Sequence, residues 1–308
     1  MRRLRKILVV LGALGIAYVG IGLLVIYKMT SSSPKPPEAT PQDAGLPYDR
    51  IEFSSEDGVR HAGWWVPRGG SRRAAVLVHG WGGAKSDEHV LATAPVYHDE
   101  GYNVLIIDLR VQGESGGSRR TLAFRETRDV RGALLWLEER GIPARDVVLH
   151  GWSMGGATVV RAATGVGVAA VVQEAGYADL PHLLEEAIPQ IARLPRLFVP
   201  AVLLAGRLWP DFDPWSVRPE REAAQLWLEG VPFFIIHSTG DGIIPVEHAK
   251  RFAAAHPDAT VWIVTGLEHV EAFAHPEYRE RLRAFLRSIA PGPDSPTDGR
   301  AGPAAPGP

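Results

Sequence analysis

The sequence predicts an α/β fold in which a doubly wound, mostly parallel sheet carries helices on both faces. Short, continuous apolar runs, which suit strands buried on both faces, recur between residues 74 and 264. Amphipathic helical patterns lie between these runs, so strands and helices alternate along the chain. The length of 308 residues is enough for one such domain and an additional segment.

The predicted elements follow one another in a regular order. Residues 50–53 and 61–66 are strand-like and flank Glu56, Asp57 and Gly58, which favour a hairpin turn. Further strands are predicted at residues 74–78, 104–107, 147–149, 169–172, 233–236 and 261–264. Helices are predicted at residues 125–140, 154–164, 246–255 and 277–289. Because ligands of such sheets bind beyond the carboxyl ends of the strands, we expect the functional residues there.

Composition excludes several classes of protein. Apolar residues make up 45% and charged residues 22%, so a wholly disordered, collagen-like or coiled-coil chain is excluded. The formal net charge is −2 and the body of the chain has no long basic block, which disfavours nucleic acid as a partner. The chain contains no cysteine, so disulfides, thiolate catalysis and Cys-ligated zinc are excluded.

The N-terminal segment is predicted to cross a membrane as a single helix. A basic stretch, residues 1–6, precedes an uncharged run, residues 7–27, whose length as a helix is about 30 Å. The positive-inside bias places the N-terminus in the cytoplasm and the rest of the chain outside it. The alternative is a cleaved signal peptide, which would give a secreted protein. The run is longer than such peptides require, and Lys28 follows it instead of a small-residue cleavage site.

The chain is therefore predicted to divide into five segments. They are a cytoplasmic basic segment at 1–6, a transmembrane helix at 7–27, a Pro/Ser-rich tether at 28–47, the α/β domain at 48–290 and a disordered tail at 291–308.

A serine in a glycine-rich turn is the predicted nucleophile. The motif G-x-S-x-G occupies residues 151–155, directly after the predicted strand 147–149 and before a predicted helix. A serine at such a strand-to-helix turn takes up a strained conformation that exposes its hydroxyl, while the glycines remove side chains that would clash. The helix N-terminus favours a developing oxyanion. These features point to Ser153.

A serine hydroxyl needs a base and an orienting carboxylate to become a good nucleophile. Asp241 lies in the loop after the predicted strand 233–236, and His269 lies after the predicted strand 261–264. Residues 79–83, His-Gly-Trp-Gly-Gly, follow the predicted strand 74–78, and their glycines let the backbone approach a substrate. The backbone N–H groups of Trp81 and Met154 are therefore the predicted oxyanion donors.

In this arrangement the chain resembles the α/β-hydrolase superfamily of serine hydrolases, close to its lysophospholipase-like and Bem46-like branch. The resemblance covers about residues 48–290, and its motifs follow the family's order. They are residues 79–83, Asp108 with 113–116, residues 151–156, residues 240–241 with Pro245, and residues 268–269. The order Ser, Asp, His is the order of that family.

The resemblance implies an α/β-hydrolase fold with a helical lid inserted at about residues 177–230. Residues 197–209 of this insertion are nearly all apolar. They fit a helix packed on the body, or a hydrophobic lid that shapes an acyl pocket or touches the membrane. Two positions depart from the family pattern. Val111 and Gln112 stand where Gly-His is usual, which predicts a reshaped pocket wall, and Ser238 stands where a glycine is common.

Other polar residues near strand ends are expected to have structural roles. His79, His150 and His237 are expected to pack or to fix loops, because none follows the last strand. Asp108 precedes the nucleophile and is expected to fix its own loop. His248 and His256, on or after a helix, are expected at the surface.

These expectations describe a membrane-anchored serine hydrolase that cleaves an ester, thioester or amide bond of a small-molecule or lipid-like acyl substrate, foremost as an esterase or lipase-like enzyme. No cofactor is expected, and no metal, because the chain has no H-E-x-x-H motif and His269 already has a role. A serine peptidase or an acyltransferase would use the same triad. A catalytically silent, membrane-anchored binding protein is the alternative of a different class.

Overall fold

The computed structural model describes residues 1–31, 36–209 and 212–289 and contains one eight-stranded sheet. The strands are β1 (Asp49–Ser54), β2 (Arg60–Val66), β3 (Ala74–Val78), β4 (Asn103–Ile107), β5 (Val147–Trp152), β6 (Ala170–Glu174), β7 (Phe233–Ser238) and β8 (Thr260–Val264). The helices are α1 (Arg2–Thr30), α2 (Glu88–Asp99), α3 (Glu126–Glu138), α4 (Met154–Ala163), α5 (Leu180–Ala187), α6 (Val199–Leu208), α7 (Pro219–Leu228), α8 (Glu247–Ala255) and α9 (Tyr278–Ser288).

The sheet has the predicted doubly wound, mostly parallel architecture. Its strand order is β1-β2-β4-β3-β5-β6-β7-β8. β1 pairs antiparallel with β2 as the predicted hairpin, β2 pairs antiparallel with β4, and all later pairs are parallel. The chain winds outward in both directions from β3, so the carboxyl ends of β3, β5, β7 and β8 lie at the same edge.

The central strands alternate between two apolar layers. Leu105 and Leu149 belong to the layer that also holds α3 and α4, whereas Ile106 and Val148 belong to the layer covered by α2 and α9. β3, β4 and β5 are buried along their whole length, as their continuous apolar sequences predict. The sheet is therefore packed between two helical layers, and the loops at its edge begin at buried strands.

The predicted elements differ from the structure mainly at their ends. β6 extends to Glu174, two residues beyond the prediction, because Glu174 is buried with hydrogen-bond partners for its side chain and does not end the strand. The helix α2 has no predicted counterpart. Its sequence contains Pro95, which usually marks a break in a helical pattern.

The insertion between β6 and β7 contains α5, α6 and α7. α7 packs against α4 and α8 and so belongs to the body of the domain. α6, which forms most of the apolar stretch 197–209, instead packs along α1. Tyr18 donates a hydrogen bond to the Leu197 carbonyl at 2.6 Å, and a Cβ added at Gly22 would lie 2.4 Å from the Ala201 carbonyl oxygen. Each of these two apolar helices therefore covers part of the other.

The N-terminal helix is long and apolar enough to cross a membrane, with a mean hydropathy of 2.6 over its most apolar window. A signal sequence would have the same property. The helix runs to Thr30, past the predicted span 7–27, and among the described residues only its second half contacts the rest of the protein. Residues 291–308, the predicted tail, lie outside the described residues, as do residues 32–35 of the predicted tether.

Candidate active site

Ser153 stands at the turn between β5 and α4 with a backbone φ of 54°. This left-handed value is uncommon for a residue with a side chain, and it turns the hydroxyl away from the sheet edge. The turn is possible because Gly151 and Gly155 have no side chain, so neighbouring backbone segments can approach them closely. A Cβ at Gly155 would lie 2.2 Å from the Val78 carbonyl oxygen, and one at Gly151 would lie 2.2 Å from the Gly155 carbonyl oxygen. The sequence motif thus folds as the strained strand-to-helix turn that it predicts.

His269 and Asp241 lie next to Ser153, although 116 and 88 residues separate them from it in the chain. His269 Nε2 is 2.8 Å from Ser153 Oγ, and His269 Nδ1 is 2.7 Å from Asp241 Oδ2. An ionised carboxylate accepts hydrogen bonds only, so Nδ1 carries the ring proton and Nε2 accepts from the serine hydroxyl. This arrangement can withdraw a proton from Oγ and stabilise the imidazolium that results.

Asp241 is held as an anion. Burial raises the pKa of its carboxyl, but the hydrogen bond and charge of His269 and the backbone amides of Ile244 and Ile243 outweigh burial, so the pKa lies below its ordinary value. Both amides donate to Oδ1, at 2.9 Å from Ile243 and 2.8 Å from Ile244. Oδ2 is thereby left to His269.

The backbone amides of Trp81 and Met154 flank the serine. Neither N–H donates to another group within the described part of the chain. Gly80 allows this approach, since a Cβ there would lie 3.0 Å from the Ser153 Cβ. Met154 is the first residue of α4, where the helix dipole also favours negative charge. Both amides are therefore free to hold an oxyanion.

The loop that carries Trp81 is fixed from two sides. The Gln112 side-chain oxygen accepts a 2.6 Å hydrogen bond from the Gly82 amide and another from Arg120 Nη1 at 3.2 Å. The Trp81 indole N–H donates to the carbonyl oxygen of Met29, in the last turn of α1, at 2.9 Å. Gln112, a departure from the family pattern, thus holds this loop and does not line the cavity at Ser153.

Ser238, the other departure, joins the two loops that carry Asp241 and His269. Its hydroxyl donates to the Leu267 carbonyl and accepts from the Gly240 amide at 3.1 Å. A glycine at this position would lack both bonds.

Asp108 has the predicted loop-fixing contacts. It accepts from the Lys85 and Glu114 amides, at 2.8 and 2.9 Å, and from Lys85 Nζ. The contact with the Lys85 ammonium is absent from the sequence prediction, because Lys85 lies in a polar, Gly-rich stretch that resembles an exposed loop.

The strand-end histidines also have structural partners. The His79 ring nitrogens contact the Gly80 carbonyl and the Leu109 amide, and His237 Nε2 donates to the Ile244 carbonyl at 2.8 Å. His150 lies 3.0 Å from the Tyr97 hydroxyl. The expectation that His248 and His256 lie at the surface is wrong, since both are buried. The Ala178 amide donates to His248, and His256 lies 3.0 Å from the Val231 carbonyl oxygen.

A cavity of about 590 Å³ reaches Ser153 and His269. Its walls are mostly aliphatic and come from α5, the loops after β7 and β8, and α1. The hydroxyl of Tyr177 in this wall is already bonded to the Leu122 carbonyl. A second, larger and more polar cavity lies on the far side of Trp81 and reaches no member of the Ser153, His269 and Asp241 set. In the described residues no group of three His, Cys, Asp or Glu side chains could hold a metal ion.

Comparisons with known proteins found similarity in sequence and in fold. The sequence model of the alpha/beta hydrolase family matches residues 75–285. The chain is similar to YfhR of Escherichia coli (25% identity over 252 residues, 78% of this chain and 81% of YfhR) and to YqkD of Bacillus subtilis (23% over 307 residues, 93% and 98%).

Two solved structures share the fold. An esterase of Pyrococcus furiosus has a TM-score of 0.68 and 24% identity, with 83% of this chain and 98% of that chain covered. Est1E of Butyrivibrio proteoclasticus, with ferulic acid bound, has a TM-score of 0.62 and 16% identity, with 78% and 99% covered.

Proposed function

This chain belongs to the alpha/beta hydrolase family, and from that membership we propose that it is a serine hydrolase that cleaves carboxylic esters. The observation that carries the proposal is the continuous hydrogen-bonded series Ser153, His269 and Asp241 at an apolar cavity. The solved esterase of Pyrococcus furiosus shares the fold, which agrees with the proposal.

The first half of the proposed reaction forms an acyl-enzyme. Ser153 Oγ attacks the ester carbonyl while His269 Nε2 takes its proton, and the Trp81 and Met154 amides hold the oxyanion. The ester C–O bond then breaks, and the alcohol leaves with the proton from Nε2. Asp241 keeps the imidazole in the required tautomer and stabilises its charge.

The second half releases the acid. Water attacks the acyl carbonyl and gives a proton to His269 Nε2. The bond between the acyl carbon and Ser153 Oγ then breaks, Oγ takes the proton back from Nε2, and the carboxylic acid leaves. The mostly aliphatic walls favour an ester with an apolar acyl group. A peptide would leave several of its backbone polar groups unpaired there.

The test is hydrolysis of p-nitrophenyl esters by the full-length protein in detergent. We expect Ser153→Ala to lower kcat by about a thousandfold or more while the thermal unfolding midpoint is retained, because the serine supplies the bond-forming atom. Labelling by a fluorophosphonate should also be lost. Equal turnover by Ser153→Ala contradicts the proposal. A folded wild type without turnover or labelling indicates the silent binding protein, and turnover of amides but not esters indicates a peptidase.

We further propose that α1 anchors the protein with its N-terminus in the cytoplasm and the α/β domain outside. The support is the helix's length and apolarity and the basic stretch before it. Protease treatment of intact cells tests this orientation. Digestion of the α/β domain is expected, whereas a domain protected until the cells are lysed, or a mature chain that starts after residue 30, contradicts it.

A further inference from the structure

One face of the N-terminal helix forms a wall of the active-site cavity. Five residues of α1 line it, namely Ile21, Leu24, Val25, Lys28 and Met29. Their spacing is that of one helix face, and at about 1.5 Å per residue they extend about 12 Å along the helix axis. The α1 wall, as we call this face, is therefore elongated and ends in the same cavity as Ser153.

The other side of the same helix segment is docked on the protein. Gly22, Ile26 and Thr30 are buried. The Arg120 amide donates to the Thr30 carbonyl at 2.9 Å, and the Trp81 indole donates to the Met29 carbonyl. These contacts place the α1 wall in a fixed position relative to the loop that carries the Trp81 amide.

The rim of the cavity is apolar and open. Leu24 is 55% exposed, Ile243 is 49% exposed and Trp81 is 48% exposed, yet all three line the cavity. Exposed apolar side chains grouped around a cavity are typical of a surface that contacts a membrane or another apolar partner. α6, which packs against α1, also has the exposed apolar side chains Leu204 and Leu208.

The length of the uncharged run determines how deep in the bilayer this rim lies. Residues 7–27 lie between Lys6 and Lys28 and extend about 30 Å, the thickness of the hydrocarbon layer. With the two lysines at its two boundaries, most of the α1 wall lies within the last third of that layer. The rim of the cavity then opens at the outer boundary of the bilayer.

On these contacts we propose that the cavity takes the long alkyl chain of an ester lipid directly from the bilayer, with the α1 wall as part of its chain-binding surface. The chain lies along Ile21, Leu24 and Val25 while the ester carbonyl reaches Ser153. This inference rests on the proposed hydrolase function and adds to it the substrate class and a specificity-determining surface.

A matched pair of substitutions on α1 tests the wall. Val25→Trp fills the cavity, whereas Val10→Trp changes the exposed half of the same helix. In full-length protein in detergent, Val25→Trp should lower kcat/KM for p-nitrophenyl palmitate about tenfold or more and change that for p-nitrophenyl acetate less than about twofold. Val10→Trp should leave both values within about twofold of wild type.

The outcomes separate this inference from the proposed function. A wild type that hydrolyses no ester and is not labelled by a fluorophosphonate overturns the function, and the inference with it. A wild type that hydrolyses esters, while Val25→Trp keeps the same ratio of palmitate to acetate turnover, overturns the inference alone.

Two measurements on the unsubstituted chain do not depend on a variant folding. A hexadecyl fluorophosphonate with a diazirine in mid-chain should crosslink to the peptide that contains residues 21–29, and adducts confined to other peptides contradict the α1 wall. Protein reconstituted into vesicles should hydrolyse a long-chain ester in its own bilayer faster than the same ester in added protein-free vesicles. Equal rates contradict entry from the bilayer.

Discussion

Glu174 lies directly beneath the nucleophile turn and joins three elements. Its carbonyl accepts from the Ser153 amide at 2.8 Å, and its carboxyl accepts from the Trp152 indole at 2.9 Å and from the Tyr278 hydroxyl at 3.0 Å. Burial raises the pKa of the carboxyl to about 8, and the bonds from Tyr278 and Trp152 offset only part of that rise. Burial therefore favours the neutral, protonated form of the Glu174 carboxyl.

This raised pKa predicts a pH-dependent stability. The group binds its proton up to about pH 8 when folded, but only up to about 4.5 when unfolded, so its stabilising contribution is complete below pH 4.5 and is lost as pH rises to 8. Glu174→Gln is neutral throughout and keeps an oxygen for both donors. We expect its free energy of unfolding to exceed that of wild type by a growing margin above pH 5, with a slope of at most about 1.4 kcal/mol per pH unit. Denaturant titrations from pH 5 to pH 8 check this, and parallel curves for the two proteins contradict it.

At the scale of elements, the loop between β3 and α2 is held by a buried ion pair. Lys85 and Asp108 are almost fully buried, and Lys85 Nζ also contacts Glu114 Oε2 at 2.7 Å. This loop carries Trp81, so the pair also fixes the region of the proposed oxyanion donor.

Lys85→Met is predicted to destabilise the protein by about 3–5 kcal/mol, because it leaves the buried Asp108 carboxylate without its counter-charge. Lys250→Met is the matched control, since Lys250 forms a 3.1 Å ion pair with Glu247 in which both side chains are exposed. Its effect should be below about 1 kcal/mol. Denaturant unfolding of both variants measures the difference. Equal losses would show that burial of the pair has no consequence.

The sequence predicts elements best where the signal is local. Ser153, Asp241 and His269 each follow a short apolar strand, and parallel strands bring their carboxyl ends to one edge, so their proximity follows from the pattern. The pairing of Lys85 with Asp108 has no such signal, because a lysine in a polar loop looks the same whether its partner is water or a carboxylate. The sequence predicts His248 at the surface for a similar reason. Nothing near His248 in the chain indicates the buried hydrogen bond that it accepts from the distant Ala178 amide.

At the scale of the whole molecule, α1 and α6 pack together although sequence gives no sign of it. Both helices are apolar nearly all round, and a side chain suited to lipid is equally suited to another helix. No periodic face distinguishes the two surroundings, so the sequence does not predict that the anchor and the lid contact each other. Their contact appears only in the assembled fold.

Two glycines on one helix test this packing. Gly22→Leu should destabilise the protein by about 1–3 kcal/mol, because its Cβ would lie 2.4 Å from the Ala201 carbonyl oxygen and force α1 away from α6. Gly12→Leu is the control, since no atom of the part of the chain that the structure describes lies within 4 Å of a Cβ there. Thermal unfolding in detergent should show a lower midpoint for Gly22→Leu alone. Equal midpoints for the two variants would contradict the docking of the helices.

The hydrogen bond from the Trp81 indole to the Met29 carbonyl attaches the Trp81 loop to α1. If a protease cut the chain after residue 30, the released domain would lose this partner of the Trp81 loop and one wall of its cavity in the same event. A domain released in this way is therefore expected to hydrolyse long-chain esters, the substrates proposed above, more slowly than the full-length protein.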